Sequence, residues 1–342
     1  MNRGRAIQRE NPKYNIETVS LVYANVNTEK GPKWYDVDNY ELPRESPEPY
    51  LLVDWIGTGK YSDVFTAKKG DTIVAIKVLK PVRLQKYNRE AKILENLWNG
   101  PNIVKLKSVV QNPQTQQYSF VFEHVNGIGF DRMIKTTNDE DSRFYLFQLM
   151  RAIHYSHSQG VMHRDVKPLN VLYDRSKKKL RLIDWGLADF YIPKTRYSIH
   201  VASRNFKPIE LLLDYQCYDY SVDIWSFGVT MASLIFKKDP FFRGSDDLDM
   251  VKKISSELGG DKLKQYMDKY GLPLPDGLPK TIFKKKPKPL NSHINLGNQD
   301  LVSPEALDLL EKCLRYDHQE RITAFEALKH PYFDPVRNIQ AN

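Results

Sequence analysis

The sequence predicts an α+β protein of two lobes, a small N-terminal lobe rich in β-strands and a larger helical C-terminal lobe. Apolar and polar residues alternate with the period of β-strands over residues 50–123, where only one segment has helical spacing. From Phe130 the pattern turns helical, and residues 143–155 are predicted to form a long amphipathic helix. A chain of 342 residues can bury a large core and commonly divides into two such units.

The same patterns divide the chain into four parts. The N-terminal lobe is predicted to cover residues 49–123 and the C-terminal lobe residues 124–335. Residues 1–48 are polar and contain prolines and scattered aromatics, a composition that taken alone is typical of a disordered tail. Residues 336–342 are a short C-terminal tail.

Composition excludes several classes of protein. No window approaches about 20 uninterrupted apolar residues, so we expect no membrane-spanning helix. The basic N-terminus lacks the apolar region of a secretory signal. Cys217 and Cys313, the two cysteines, have no metal-ligand spacing, and reduced thiols are expected in a cytoplasmic and nuclear protein.

The strongest functional signal is a pair of motifs in the C-terminal lobe. Residues 163–170 read His-Arg-Asp-Val-Lys-Pro-Leu-Asn, and residues 184–186 read Asp-Trp-Gly. Either motif alone is more often a turn or a salt-bridged loop than a catalytic element. Together they suit transfer of a γ-phosphoryl group, which spreads negative charge over oxygens and needs cations and a positioned base more than covalent chemistry.

Each polar residue in these motifs has a predicted role. Asp165 would orient the attacking hydroxyl and accept its proton, and Lys167 would contact the transferred phosphate. Asn170 and Asp184 would supply hard oxygen ligands of the kind that Mg²⁺ prefers. Two short strands joined by a basic turn separate these ligands, so both are expected at the ends of one hairpin.

A glycine-rich turn is predicted in the N-terminal lobe. Residues 56–65 read Ile-Gly-Thr-Gly-Lys-Tyr-Ser-Asp-Val-Phe. Gly57 and Gly59, followed by Lys60, would let backbone amides approach phosphates closely. Such a turn alone is about as often a plain hairpin as a nucleotide lid.

Lys77 interrupts an apolar strand at residues 73–79, which is costly unless its ammonium is paired. It is positioned to contact the α- and β-phosphates of a nucleotide. Its expected partner is Glu90, which lies on a stretch with helical spacing. Glu95 is the competing partner, but it falls on a different face of that helix.

These motifs resemble the eukaryotic protein kinase family and, within it, the catalytic (alpha) subunits of casein kinase 2. The resemblance runs from about residue 22 to residue 333 and weakens around residues 271–298. Tryptophan at position 185 is especially characteristic. The closer match rests on the segments at residues 57–65, 122–126, 162–168, 180–188, 201–204 and 301–310.

The resemblance implies a protein kinase fold and transfer of the γ-phosphoryl group of ATP to serine or threonine with Mg²⁺. GTP stays open as a second nucleotide, because residues 127–129 depart from the polar stretch that the family has after its hinge. The family also implies that residues 1–48 pack on the kinase core, against the activation loop and the helix of Glu90. Such packing would keep the enzyme constitutively active.

The nucleotide is expected in the cleft between the lobes, beside a hinge that includes Glu123 and Val125. Adenine needs apolar faces and backbone hydrogen bonds. Without the motifs, ordinary core packing would be the preferred interpretation of the apolar residues concerned. The residues assigned to the adenine sandwich are Ile56, Val64, Ala75, Leu172 and Ile183.

Charge predicts the substrate class. The formal net charge of +9 favours acidic partners, and the basic residues are dispersed rather than interleaved with stacking aromatics, so we expect acidic protein substrates and no dedicated nucleic-acid site. The resemblance implies that His200, Arg204 and Lys207 bind acidic side chains next to the target residue. A lysine-rich helix start of the family is reduced here to Arg83 and Lys86, which weakens the expected preference further along the substrate.

The sequence leaves open two alternative functions and one partner. A proline-directed kinase and a kinase-fold scaffold with little turnover are the competing functions. The partner implied by the family is a dimeric regulatory subunit, although small-lobe core is an almost equally good interpretation of the residues that would bind it. Those residues are Tyr50, Leu52, Phe65, Ile76 and Val78.

Overall fold

A computed structural model describes residues 16–81 and 83–339. The predicted α+β architecture is confirmed: an antiparallel sheet forms the N-terminal lobe, and a larger helical region follows it. Residues 1–15 of the predicted N-terminal segment and residues 340–342 of the predicted tail lie outside the described residues.

The helices and strands follow one another along both lobes. The helices are α1 (Val26–Lys30), α2 (Pro32–Tyr35), α3 (Leu84–Asn96), α4 (Phe130–Thr136), α5 (Asp139–Ser158), α6 (Ile209–Leu212), α7 (Ser221–Ile235), α8 (Asp247–Leu258), α9 (Gly260–Tyr270), α10 (Pro304–Cys313) and α11 (Ala324–Leu328). The strands are β1 (Leu51–Thr58), β2 (Ser62–Lys69), β3 (Thr72–Leu79), β4 (Leu106–Gln111), β5 (Tyr118–Glu123), β6 (Val161–Met162), β7 (Val171–Asp174), β8 (Lys179–Leu182) and β9 (Asp189–Phe190).

The sheet of the N-terminal lobe has the strand order β1-β2-β3-β5-β4. Side chains alternate across β3, so Val74 and Ile76 are buried in a core on one face while Ala75 and Lys77 belong to the other. Lys77 lies opposite Val64 of β2, and residues directly opposite each other in a pair of strands share a face. The register therefore gathers Val64, Ala75 and Lys77 on one side of the sheet.

Two long helices form the frame of the C-terminal lobe. Helix α5 begins at a cap in which the Asn138 side chain accepts a hydrogen bond from the Asp141 amide at 2.9 Å. Acidic residues in its first turn complement the helix dipole. Every residue of α7 is buried, which fits its position in the middle of the lobe.

The described part of the N-terminal segment, residues 16–48, lies across both lobes. Asn27 is buried and donates to the carbonyls of Gly160 and Tyr191 at 2.7 and 2.8 Å. Further along, Asn88 of α3 donates to the carbonyl of Tyr40 at 2.8 Å. These bonds tie the segment to the loop before β6, to the chain after β9 and to α3.

In the part of the chain that the structure describes, no helix is both long and apolar enough to cross a membrane.

Candidate active site

The catalytic loop, residues 163–170, follows β6 and is held by a buried carboxylate. Asp223 of α7 accepts hydrogen bonds from the amides of His163 and Arg164 at 2.8 and 2.7 Å. Arg164 has a φ of 65°, in the left-handed region that is costly for a residue with a side chain. Asp223 therefore stabilises a strained turn immediately before Asp165.

Asp165 is surrounded by hydrogen-bond donors. Its Oδ2 atom accepts from Lys167 Nζ at 2.7 Å and from Asn170 Nδ2 at 3.0 Å. Its Oδ1 atom accepts from both the amide and the hydroxyl of Ser203 at 2.9 Å. Four donors fix the orientation of the carboxylate, which remains available as a proton acceptor near the cleft.

Ser203 is a site residue that the motifs did not reveal. Besides its bonds to Asp165, its hydroxyl accepts from Lys167 Nζ at 2.7 Å. Ser203 lies in the segment at residues 201–204 that carries part of the family resemblance, but no role was predicted for it. Ser203 therefore joins Asp165 to Lys167, the residue that is predicted to contact the phosphate.

Lys77 joins the two halves of the site. Its Nζ atom lies 2.7 Å from Glu90 Oε1 and 2.9 Å from Asp184 Oδ1, so Glu90 is the carboxylate that pairs with it. Glu95, the competing partner, is exposed. The pairing connects β3, α3 and the Asp-Trp-Gly motif, as a nucleotide site between two lobes requires.

The charges of Lys77 and Asp184 support each other, whereas burial and the neighbouring Asp184 raise the pKa of Glu90. Burial lowers the pKa of Lys77, but attraction to Glu90 and Asp184 outweighs it, and the pKa lies above its usual value. Burial raises the pKa of Asp184, but the charge and hydrogen bond of Lys77 outweigh it, and the pKa lies below its usual value. Both groups are therefore charged at neutral pH.

Gly186 allows the carboxylates to approach its backbone. A Cβ atom at this position would lie 3.3 Å from both Asp184 Oδ1 and Glu90 Oε2, closer than most real contacts of such an atom. Any side chain here would push against the two oxygens. The glycine of the Asp-Trp-Gly motif thus lets both oxygens keep these positions.

Asn170 and Asp184 are fixed relative to each other. Asn170 directly precedes β7, and the Ile183 amide after β8 donates to the Asn170 carbonyl at 2.9 Å. The Asp184 side chain is 49% exposed, and its Oδ1 atom carries the bond to Lys77. Together they offer a carboxylate and an amide oxygen, hard ligands that suit Mg²⁺ shared with nucleotide phosphates. No cluster of three or more His, Cys, Asp or Glu residues suited to a metal occurs among the described residues.

The glycine-rich turn joins β1 to β2 and is held in shape by hydrogen bonds. Gly59 donates its amide to the Ser62 carbonyl at 2.8 Å, which shapes the turn between β1 and β2. Lys80 donates to Thr58 Oγ1 at 2.9 Å and to the Gly59 carbonyl at 3.0 Å. Nothing in the sequence patterns indicated this role of Lys80 in holding the turn.

The predicted adenine residues are only partly covered. Ile56 is 52% exposed, and the other members are half-buried. The Glu123 side chain is occupied, because Lys179 and Arg181 each lie 2.7 Å from it. A contact of Glu123 with adenine would therefore come from its backbone. The half-buried members are Val64, Ala75, Leu172 and Ile183.

Two of the three predicted acid-binding residues after the activation loop already have partners. His200 is exposed, while Arg204 donates to the Ser245 carbonyl at 2.6 Å. Lys207 Nζ lies 3.0 Å from Asp247 Oδ2, and its side chain is only 10% exposed. At the start of α3, Arg83 and Lys86 are exposed.

The residues predicted to bind a regulatory subunit differ in their exposure. Leu52 is 49% exposed, whereas Ile76 is 4% exposed and belongs to the core of the sheet. Tyr50 and Val78 are partly buried and pack against that core, and Phe65 is half-buried. Ile76 is therefore part of the core of the small lobe.

A known family model covers most of the chain. Residues 50–333 match the family model of the protein kinase domain. The matched region begins just before β1 and ends within the last short helical turn, Pro331–Val336, so it contains every residue of the cluster around Asp165 and Lys77. Protein kinases generally use ATP and Mg²⁺, which the donor groups of the cleft fit. The chain belongs to the protein kinase family and is a transferase.

Proposed function

We propose that this protein is an acidophilic serine/threonine protein kinase that is active without phosphorylation of its activation segment, residues 184–210. The observation that carries the proposal is the complete assembly of the site. Asp165 is held by four hydrogen bonds, and Lys77 is already paired with Glu90. A scaffold has no chemical need for this set of groups.

The groups divide the reaction between them. The substrate hydroxyl oxygen bonds to the γ-phosphorus while the bond to the β-phosphate oxygen breaks and ADP leaves, and Asp165 accepts the hydroxyl proton. Lys167 and Lys77 offset the negative charge on the phosphates. Asn170 and Asp184 would hold Mg²⁺, which supplies further neutralisation of phosphate charge.

Constitutive activity is supported by a carboxylate that joins the activation segment to both lobes. Asp189 Oδ2 lies 2.9 Å from Arg164 of the catalytic loop and 3.2 Å from Arg89 of α3. Arg164 directly precedes Asp165, and Arg89 directly precedes Glu90. Where activation depends on phosphorylation, a phosphate on the segment makes such pairs with arginines. Here the chain provides the anion itself.

Asp189→Asn is expected to lower kcat about tenfold, because losing the charge-assisted bonds to both arginines loosens α3 and the catalytic loop. The measurement is steady-state kinetics at saturating ATP, with Asp189→Glu as the control that keeps the charge. A kcat for Asp189→Asn equal to that of the wild type would contradict the role of this carboxylate.

Preference for acidic substrates is supported by the resemblance to casein kinase 2 catalytic subunits, by the net charge of +9 and by the exposed side chains of His200, Arg83 and Lys86. The test is a set of serine peptides that differ only in the residue after serine. We expect aspartate to give a higher kcat/KM than alanine, and proline the lowest. Fastest phosphorylation of the proline peptide would instead identify a proline-directed kinase.

A dimeric regulatory subunit remains part of the proposal. The outer strand β1 exposes Leu51, Leu52 and Trp55 by 68%, 49% and 61%, an apolar surface of the kind that often binds another protein.

We also propose a cytoplasmic and nuclear location, since the lysines of residues 284–289 are exposed and could serve as a basic import signal. ATP is the proposed nucleotide, with GTP as the second candidate.

A further inference from the structure

We infer that Asp247 is a specificity-determining residue. Its carboxylate pairs with Lys207, which is predicted to bind acidic side chains, so an acidic substrate must displace Asp247 before it can bind Lys207. The inference rests on the proposed function and concerns the position next to the target hydroxyl. The pair joins the end of the activation segment to the first residue of α8.

The pair is asymmetric in its exposure. The Lys207 side chain is 10% exposed, and its Nζ atom lies 3.0 Å from Asp247 Oδ2. The Asp247 side chain is 49% exposed. The cation is therefore fixed and nearly covered, whereas the carboxylate can leave it and enter water at little cost. The Asp247 carboxylate is therefore placed so that another anion could displace it from Lys207.

The loop that carries Asp247 also holds a second predicted acid-binding residue. Arg204 donates to the carbonyl of Ser245, two residues before Asp247, at 2.6 Å. One loop therefore contacts two of the three residues predicted to meet an acidic side chain, although Arg204 itself is exposed. His200 remains exposed.

Asp247 is not needed to begin α8. Asp246 is the capping residue, and its side chain accepts from the Asp249 amide at 2.8 Å. Asp249 in turn accepts from the Ser245 amide at 3.0 Å. The loop is thus shaped by neighbours of Asp247. Alternatively, Asp247 could act only as one of the acidic residues that complement the dipole of α8. In that case its effect on peptide preference would not depend on Lys207.

The consequence for the substrate follows from charge. An aspartate after the target residue meets a neutralised pair, so it exchanges one carboxylate for another and gains little. Phosphoserine carries a charge of about −1.5 to −2 and three acceptor oxygens, so it competes better for Lys207. We expect phosphoserine to be preferred over aspartate by the wild type, with aspartate only slightly ahead of alanine.

The test is the Asp247→Asn variant of the whole chain with serine peptides that carry aspartate or alanine after the target. Freed from Asp247, Lys207 should raise the ratio of kcat/KM for the aspartate peptide to that for the alanine peptide about threefold to fivefold. The control is Asp268→Asn, which makes the same charge change on α9, where Asp268 pairs with Lys264. This control should leave the ratio at the wild-type value.

A double variant separates displacement from a general change of charge. In a Lys207→Met background, Asp247→Asn should leave the ratio unchanged. The inference is overturned if Asp247→Asn does not raise the ratio of kcat/KM for the aspartate peptide to that for the alanine peptide. It is also overturned if Asp247→Asn raises this ratio equally in the Lys207→Met background.

Peptide binding makes the inference independent of turnover. Peptides with alanine in place of the target serine, followed by aspartate or alanine, can be measured by fluorescence anisotropy. In Asp247→Asn, the affinity for the aspartate peptide relative to the alanine peptide should rise by a similar factor. This rise supports the inference even if no variant transfers phosphate. Absence of phosphate transfer would defeat only the proposed function. An unchanged affinity ratio in an active enzyme defeats only the inference.

Discussion

Asp165→Asn is expected to lower kcat by about 10²- to 10⁴-fold, while the Kd for ATP changes little. The amide has nearly the shape of the carboxylate, so its oxygen can still accept from Ser203 or Lys167. It cannot take the proton of the substrate hydroxyl. The measurements are single-turnover phosphorylation of an acidic serine peptide and fluorescence titration of nucleotide binding.

Asp268→Asn is the matched control for this prediction, because it removes one exposed carboxylate far along the chain from the motifs. It should keep the wild-type kcat. If Asp165→Asn retained a kcat within tenfold of the wild type, the assignment of Asp165 as the base would be wrong.

Arg321→Met is expected to lower the free energy of unfolding by about 3–5 kcal/mol. Arg321 Nη1 lies 2.7 Å from Glu210 Oε1, and both side chains are 0% exposed. The arginine also donates to the Ser221 carbonyl at 2.8 Å. Removing it leaves a buried carboxylate with no compensating charge and a buried carbonyl short of a donor.

Urea unfolding followed by circular dichroism measures this loss. The double variant Glu210→Gln/Arg321→Met is the control, because it also removes the stranded carboxylate and should recover part of the stability. A loss below about 1 kcal/mol in the single variant would contradict the account of this pair. Because Glu210 lies in α6 at the end of the activation segment, we also expect weaker peptide binding in the single variant.

The sequence could predict which residues lie together where their geometry is local. Asn170 and Asp184 both flank the open end of the β7–β8 hairpin, because Val171 pairs with Leu182. Lys77 and Glu90 meet because an apolar strand and an adjacent helix leave the ammonium a single buried carboxylate nearby. The pair of Glu210 with Arg321 joins residues 111 positions apart, and no local spacing predicts it.

The contacts that were missed depend on the path of the activation segment. Ser203 reaches Asp165, Asp189 reaches two arginines, and Lys207 meets Asp247 only after this segment has folded back on the C-terminal lobe. No periodicity encodes that path. Ile76 illustrates a different limit, since alternation showed that its face of β3 is apolar but not whether a core or a partner covers it.

The most direct test of the central claim, that this cleft transfers phosphate from a nucleotide to a hydroxyl, is an assay of the purified, phosphatase-treated protein. It uses γ-labelled ATP and a serine peptide with acidic residues after the target, with Mg²⁺ or with excess EDTA. The account predicts phosphoserine in the peptide with Mg²⁺ and none with EDTA. Absence of labelled peptide in the presence of Mg²⁺, from a folded protein that binds ATP, would contradict it.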